Sequence, residues 1–285
     1  MKYTQKYRIY ENDVDFRKMA TLGTLLRYCQ QIGAEDAEHY GITPELYAST
    51  HTSYVLAKLA LHITRTPRVE ETITVQTEPE ALHRAVNRRF TTFCDAQGRE
   101  EACVDSRWVL IDTDKRMILR KHPEGFPTTG WVDKLDRELP IKLTKVKRED
   151  CEELGTHRAV YSRCDRNGHM NNTVYADLIC DALPLEVWRT HTVTDVILYY
   201  HKEVPMGEST RLYRAAVGEN RWYMAGCPPG SYPSARWRKY SESDNPHRLA
   251  ISVIFRFSVT LTRTLIPTLR FLMRQQPHRG SGLSP

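Results

Sequence analysis

The sequence repeats one pattern of secondary structure. A strand, a helix, a long strand, a turn with proline and a further strand run from residue 3 to residue 77, and the same order returns over residues 157–217. Asp15 of the first copy matches Asp165 of the second, and Pro67 matches Pro205. A repeat of this size, with one long helix in each unit, predicts two copies of one domain.

Each copy has one helix with apolar side chains that must be buried. In the first copy they form a stripe at helical spacing, made of Leu22, Leu25, Leu26, Cys29 and Ile32. A helix of this kind buries its stripe by lying on a sheet, and the segments around it have the composition of strands. The sequence therefore predicts an α+β fold.

Charge is spread unevenly along the chain. The 285 residues have a formal net charge of +6, but residues 226–285 hold nine Lys or Arg against two acidic residues, a net charge of +7. The first 225 residues therefore have a net charge of −1, which gives no support to nucleic-acid binding outside the tail. Arg256, Arg263 and Arg270 interrupt the apolar part of the tail, so we expect no membrane span.

The seven cysteines are scattered and include no Cys-x-x-Cys pair. An odd, scattered set suits reduced thiols better than a disulfide framework or a zinc site. The first residues, Met1-Lys2-Tyr3-Thr4, are polar and lack the pattern of a signal peptide. We therefore expect a cytoplasmic location.

One segment of the second copy concentrates polar side chains at the start of a helix. It runs from Cys164 to Tyr175, and apolar residues at helical spacing continue to Leu183. Asn171 and Asn172 are good N-cap candidates. A helix start leaves backbone N–H groups unpaired and carries partial positive charge, which stabilises a developing anion. This turn is therefore a candidate site for a reaction that builds up negative charge.

The order Asp-x-Asn-x-His-x-Asn-Asn-x-x-Tyr, from Asp165 to Tyr175, resembles the catalytic segment of the FatA/FatB type of acyl-acyl carrier protein (acyl-ACP) thioesterases. The second family element is Tyr-x-x-Glu, which here is Tyr200 to Glu203. The resemblance covers about residues 3–225. It implies two hotdog domains, each a curved antiparallel sheet around a long helix. It also implies hydrolysis of acyl-ACP, which releases free fatty acid and ends chain elongation in fatty acid biosynthesis, without metal or organic cofactor.

The resemblance implies catalytic roles for four residues. Glu203 would activate water for attack on the thioester carbonyl, or attack the carbonyl itself. His169 would polarise the water or protonate the departing thiolate. Asn167 would hold the carbonyl or orient the water, and Asp165 would fix His169 or Asn167 through a hydrogen bond. Outside this pattern, the same residue types are ordinary strand ends, packing histidines and turn residues.

Further residues are candidates for binding the substrate. Backbone N–H groups near Gly168 are candidate oxyanion donors, and strand alternation puts His201 on the same face as Glu203. The candidates to line the acyl pocket, which would equally serve as plain core residues, are Leu22, Leu25, Leu26 and Cys29. Acyl carrier proteins are acidic, so their docking patch should be basic. The candidates are Arg84, Arg88, Arg89, Arg120 and Lys121.

The two copies differ in chemistry. Where the second has Asn167-Gly168-His169, the first has Arg17-Lys18-Met19, and the proline match puts Arg65 at the position of Glu203. One active site is therefore expected. The predicted units are a first hotdog that shapes the acyl pocket (1–125), a linker (126–150), a catalytic hotdog (151–226) and a divergent basic tail (227–285).

Two other functions remain open on the sequence. One is hydrolysis of acyl-CoA, because single-hotdog acyl-CoA thioesterases also use an acid or Asn and a His near such a helix. The other is binding of acyl-ACP without catalysis, if the unusual tail, which either supplies a last strand or is disordered, disrupts the second domain. We expect a monomer or a homodimer.

Overall fold

The computed structural model describes residues 2–144, 146–227 and 251–259. The first copy contains strands β1 to β6 and helices α1 and α2. Their bounds are β1 Tyr3–Arg8, α1 Leu22–His39, α2 Pro44–Ser49, β2 Thr52–Ile63, β3 Thr72–Pro79, β4 Asn87–Cys94, β5 Glu100–Asp112 and β6 Met117–Ile118. The second copy contains β7 Glu152–Arg158, α3 Asn172–Asp181, α4 Leu185–Thr190, β8 His191–Tyr200, β9 Ser209–Ala216, β10 Arg221–Cys227 and β11 Ile251–Val259.

The described strands form one antiparallel sheet of eleven strands. Their order is β1-β3-β4-β5-β2-β8-β11-β10-β9-β7, with β6 paired to β5. The two copies meet where β2 pairs with β8, from Lys58 opposite Tyr199 to His62 opposite Asp195. Each half has the same strand order outward from this seam, as a tandem repeat requires, and the α+β prediction is confirmed.

Strand β11 comes from the tail and completes the second half. It lies between β8 and β10, in the place that β5 takes in the first half. Val253 and Phe255 are buried in the core that both helices share. Residues 228–250 and 260–285 of the predicted tail lie outside the described residues.

The two long helices pack together on one face of the sheet. The Thr21 hydroxyl caps α1 by accepting from the Thr24 N–H at 3.1 Å, and the Asn171 side chain caps α3 by accepting from the Thr173 N–H at 2.9 Å. The predicted stripe of α1 is buried at Leu22, Leu25, Leu26 and Ile32. Among the described residues, no helix is long and apolar enough to cross a membrane.

The predicted linker packs against the face of the sheet opposite the helices. The Leu135 N–H donates to the Glu80 carboxylate at 2.9 Å, and the Leu139 N–H donates to the Asp105 carboxylate at 3.1 Å. The Tyr199 hydroxyl donates to the Ile141 carbonyl at 2.7 Å. The segment therefore touches both halves of the sheet.

Backbone hydrogen bonds give the structural match between the two copies. In the first copy, the Ala20 N–H donates to the Pro67 carbonyl at 2.8 Å. In the second copy, the Met170 N–H donates to the Val204 carbonyl at 2.8 Å. Ala20 and Met170 are 150 residues apart, as the repeat predicts, but Pro67 and Val204 are only 137 apart. The strand that follows the long β-strand is therefore matched one residue away from the proline alignment.

The expected match of Arg65 with Glu203 is consequently wrong. Thr66 occupies that position, and its side chain is buried. Pro67 and Pro205 stand at successive positions of equivalent turns, so aligning the two prolines shifts the register by one. Both Arg and Thr lack a carboxylate, so the first copy still lacks the acid of the second.

Candidate active site

The turn before α3, residues 164–171, carries residues predicted to be catalytic, and for that prediction we call it the catalytic turn. It is organised by Asp165. Its carboxylate accepts the Asn167 N–H at 2.9 Å. Its backbone carbonyl accepts the Gly168 N–H at 3.0 Å, and its own N–H donates to the His169 carbonyl at 2.9 Å. Gly168 has a φ of 73°, a left-handed conformation that glycine adopts without the usual penalty. These bonds set the direction in which His169 leaves the turn.

The turn is docked on the chain that follows β8. The Met170 N–H donates to the Val204 carbonyl, and the Met206 N–H donates to the Gly168 carbonyl, both at 2.8 Å. His169 and Pro205 form an antiparallel bridge between these two bonds. Residue 203 therefore lies next to the histidine because of backbone pairing, before any side-chain interaction is considered.

Glu203 and His169 face each other across this junction. The Glu203 Oε2 and His169 Nε2 atoms are 3.6 Å apart, and the side chains are 38% and 28% exposed. The separation is longer than a good hydrogen bond, and both groups are open to solvent on one side. Both groups can therefore bond the same water molecule from the open side.

Asn167 lies in the same turn, and its side chain is exposed. The N–H of Gly168 is already donated to Asp165, so it is taken by the turn and is not a free oxyanion donor. The Asp165 carboxylate holds the backbone of Asn167 rather than the ring of His169. In this geometry Asp165 shapes the turn, and the Asn167 amide has no hydrogen bond to another of the residues that the structure describes.

Arg116 of the first copy also reaches the site, which the sequence did not indicate. Its Nη2 lies 3.3 Å from Glu203 Oε2. Arg116 follows β5 in an exposed turn and has a φ of 54°. Glu203 therefore has two cationic or protonatable neighbours, one from each half of the chain. Arg116 and Glu203 are 87 positions apart in the chain, so no local sequence pattern indicates their contact.

Two packed tyrosines and a second histidine come from α3 and from the end of β8. The Tyr200 hydroxyl donates to the Asn172 carbonyl at 3.0 Å, and its ring packs edge-on against Tyr175 with centroids 5.9 Å apart. Burial raises the pKa of Tyr175, and the charge of Glu203 adds a smaller increase. His201 lies 6.0 Å from the Tyr199 ring, and burial lowers the pKa of His201 to about 4. His201 is therefore neutral near neutral pH.

The four acyl-pocket candidates do not line one cavity. Leu22 and Leu25 line a cavity of about 520 Å³ beside Asp15 and Arg17, at the turn of the first copy. Leu26 is buried in the shared core. Cys29 is on the other part of α1, where its thiol contacts the Thr91 hydroxyl of β4.

The turn of the first copy is closed by its own arginine. Arg17 Nη1 donates to the carbonyls of Trp188 and His191, at 2.6 and 2.8 Å, and Arg17 Nη2 lies 2.7 Å from the Asp15 carboxylate. The second copy has the exposed Asn167 at this position. The first copy has Arg17, whose guanidinium is hydrogen-bonded to the other half of the chain. The first copy therefore has no asparagine at this position, and the single active site stays a prediction.

Two of the five residues predicted for ACP docking are unsuited to it. Arg88 pairs with Glu80 and Asp105, and Arg89 pairs with Asp36, and both arginine side chains are largely buried. The sequence could not distinguish them from surface arginines, because β4 alternates between two covered faces. The other three, Arg84, Arg120 and Lys121, are exposed.

No cluster of three or more His, Cys, Asp or Glu with the geometry of a metal site occurs among the residues that the structure describes. All seven cysteines are free thiols.

Two family models match the sequence. The acyl-ACP thioesterase N-terminal domain matches residues 1–126, and the acyl-ACP thioesterase C-terminal domain matches residues 147–226. Among curated proteins, oleoyl-acyl carrier protein thioesterase 1 of Arabidopsis thaliana is 21% identical over 71% of this chain and 60% of its own length. The oleoyl-acyl carrier protein thioesterase of Coriandrum sativum is 24% identical over 71% and 59%. The chain thus spans about 60% of the length of these plant relatives.

Solved structures share the fold over most of the chain. An acyl-ACP thioesterase from Bacteroides thetaiotaomicron has a TM-score of 0.76 and 21% identity, covering 90% of this chain and 97% of that one. The 12:0-ACP thioesterase from Umbellularia californica has a TM-score of 0.74 and 16% identity, covering 90% and 97%. These likenesses confirm the predicted tandem hotdog fold.

Proposed function

Since the chain belongs to the acyl-ACP thioesterase family, we propose that it hydrolyses the thioester of acyl-ACP and releases free fatty acid during fatty acid biosynthesis. The observation that carries the proposal is the 3.6 Å approach of Glu203 Oε2 to His169 Nε2. It is supported by the backbone pairing of the catalytic turn with the segment after β8, since that pairing holds both side chains at one opening.

In the proposed reaction, Glu203 is the general base and water is the nucleophile. The carboxylate takes a proton from water as the water oxygen attacks the thioester carbonyl. The exposed Asn167 amide donates to the oxyanion that forms. The tetrahedral intermediate then collapses, the C–S bond breaks, and the proton passes through His169 to the departing thiolate. The products are a fatty acid and the free thiol of the carrier protein.

The proposal names ACP as the partner because of charge. Arg116 lies at the active-site opening, and Arg84, Arg120 and Lys121 are exposed on the same half of the chain. A basic surface accelerates encounter with an acidic carrier. Both copies are in one sheet within one chain, so we expect the monomer to be active. The free thiols suit a reducing compartment, and we extend the proposal to the cytoplasm.

The test is product analysis after incubation with a mixed pool of acyl-ACPs, followed by rates on acyl-ACP and acyl-CoA that carry the same acyl group. We expect free fatty acid, with a higher kcat/KM for the ACP form. Equal or faster turnover of acyl-CoA would replace the proposal by hydrolysis of acyl-CoA. Binding of acyl-ACP without release of fatty acid would identify a binding protein instead.

A further inference from the structure

Arg116 of the first copy reaches Glu203 because two strands of the sheet end on the same side. β5 and β8 flank β2, and each of them pairs with β2 in antiparallel register. The two strands therefore run in the same direction, and the segments that follow them leave the sheet at the same end. Arg116 follows the last residue of β5 by four positions, and Glu203 follows the last residue of β8 by three. The contact between them is thus a consequence of the strand order.

The Arg116 guanidinium has more donors than this contact uses. Arg116 Nη2 lies 3.3 Å from Glu203 Oε2, the same carboxylate oxygen that faces His169 Nε2 at 3.6 Å. The Arg116 side chain is 78% exposed, and its Nη1 and Nε atoms donate to no acceptor among the residues that the structure describes. A guanidinium carries five N–H groups in one plane, so Arg116 can hold Glu203 with one group and a second anion with another.

The hairpin turn alone does not explain an arginine at this position. Asp114 Oδ2 lies 2.9 Å from His51 Nδ1. Lys115 Nζ lies 3.5 Å from Asp112 Oδ2, so both of these charged side chains have partners in the first copy. Arg116 has a φ of 54°, a left-handed conformation that residues with a Cβ disfavour and glycine adopts easily. The contact with the second copy therefore gives the side chain a role that the turn does not need.

The proposed reaction moves a negative charge away from Glu203. The carboxylate takes a proton from water, the water oxygen bonds to the carbonyl carbon, and the π electron pair of the C=O bond moves to the carbonyl oxygen. The Gly168 N–H is already donated to Asp165, and the Asn167 amide is uncharged. Arg116 is a cation beside the oxygen from which the charge departs, so it stays close to the charge before and after the transfer.

We propose that Arg116 is a catalytic residue, supplied by the copy that lacks the acid, and that its guanidinium stabilises the oxyanion of the tetrahedral intermediate. The inference rests on the proposed function and adds a residue to its chemistry. As Glu203 becomes protonated, the exposed guanidinium donates to the oxyanion. When the C–S bond breaks, the electron pair of the oxyanion returns to the C=O bond. The sulfur leaves with the C–S pair and receives the proton of Glu203 through His169.

The first test compares Arg116→Gln with Lys115→Gln on one acyl-ACP. Lys115 precedes Arg116 in the same turn and is 74% exposed, so both variants remove one exposed positive charge and weaken the attraction of an acidic carrier alike. Arg116→Gln should lower kcat by about 10²-fold with KM near the wild-type value, because the lost interaction exists only in the transition state. Lys115→Gln should keep the wild-type kcat. A wild-type kcat in Arg116→Gln, or a loss confined to KM, would overturn the proposal.

Chemical rescue separates the guanidinium from any effect on the fold of the turn. Arg116→Gly removes the side chain and suits the left-handed backbone, so the turn keeps its conformation. Since the position is exposed, guanidinium ion from solution can enter it. Millimolar guanidinium chloride should recover about tenfold of the lost kcat in Arg116→Gly, and the same concentration of sodium chloride should recover none. Equal responses to the two salts would contradict a role for this cation.

The inference and the proposed function can fail separately. If the wild type releases no fatty acid from any acyl-ACP, the proposed function fails, and binding of an intermediate analogue then tests Arg116. A fatty alkyl trifluoromethyl ketone adds water to give a tetrahedral hydrate that ionises easily, whereas the matching methyl ketone stays planar. By calorimetry, Arg116→Gln should bind the trifluoromethyl ketone about 10²-fold more weakly than the wild type does and the methyl ketone equally well. Equal affinities of the two proteins for the trifluoromethyl ketone, or no binding by the wild type, would contradict the proposal.

Discussion

At the scale of single residues, the candidate site depends on backbone pairing more than on side-chain attraction. Met170 and Met206 each donate a 2.8 Å bond across the junction, and these bonds bring Glu203 beside His169. The side-chain separation of 3.6 Å and the partial exposure of both groups give that pair little stabilising energy of its own. Replacing either side chain should therefore change chemistry without unfolding the protein.

His201 should make stability depend on pH. Its pKa is about 4 in the folded chain and about 6.5 when unfolded, so the unfolded chain binds a proton more readily as pH falls. The contribution of neutral His201 to the free energy of unfolding is fully present above about pH 6.5 and is lost progressively down to about pH 4. Between pH 7 and pH 5, urea denaturation should show the wild type losing about 1–2 kcal/mol more than His201→Gln. Equal losses in the two proteins would rule out this histidine as the source.

Sequence reasoning selected the residues of the catalytic turn and Glu203 because they are close in the chain or match a family spacing, and the structure brings Glu203 beside His169. It did not find Arg116, whose contact with Glu203 depends on an exposed turn of the other half. It also took Arg88 and Arg89 for surface charges. The sequence of β4 does not indicate that both faces of this strand are covered, one by α1 and the other by the linker.

At the scale of elements, the start of α3 shows which asparagine acts as the cap. Asn171 Oδ1 accepts the Thr173 N–H at 2.9 Å and the Thr173 hydroxyl at 2.8 Å, whereas Asn172 is the first residue of the helix. The sequence offered both residues as caps with no means of choosing. The choice is made by the φ and ψ angles, which are extended at Asn171.

This assignment predicts different costs for two neighbouring substitutions. Asn171→Ala removes the cap and should lower the free energy of unfolding by about 1 kcal/mol. Asn172→Ala leaves the cap in place and should change it by less than about 0.5 kcal/mol. Denaturant unfolding of the two variants checks the difference. A larger cost for Asn172→Ala would mean that the helix begins one residue later.

The alignment of the two copies is a second feature that the sequence alone does not determine. Matching Pro67 with Pro205 looked natural, but hydrogen bonds match Pro67 with Val204. A loop tolerates a one-residue shift of its proline, while the bonds between turn and strand do not tolerate one. The order of helix and strands along the chain and the fold class were therefore predictable, and the residue of the first copy that is equivalent to Glu203 was not.

At the scale of the whole molecule, the second half depends on a strand from the tail. β11 pairs with β8 along Ile251–Val259 and with β10 along the other edge. Without it, β8 and β10 would each have an unpaired edge, and the helices would lose part of their shared core. The composition of the tail gave a strand-like segment, and only the sheet topology shows where that segment belongs.

The dependence on β11 can be measured with one substitution. Phe255 is fully buried in the shared core, so Phe255→Ala should lower the free energy of unfolding by about 3–5 kcal/mol. Ser258, exposed on the same strand, provides the control, and Ser258→Ala should change it by less than about 0.5 kcal/mol. Thermal or urea unfolding reports both. A cost for Phe255→Ala as small as the control's would mean that β11 is not part of the stable fold.

The measurement that tests the proposed chemistry most directly is the rate of fatty acid release from one acyl-ACP by the wild type, Glu203→Gln and Glu208→Gln. Glu208 is exposed in the same loop and takes no part in the pair with His169. Loss of the general base should lower the kcat/KM of Glu203→Gln by about 10²–10⁴-fold, with unfolding unchanged, while Glu208→Gln stays near the wild-type rate. Wild-type turnover by Glu203→Gln would contradict the assignment of this site.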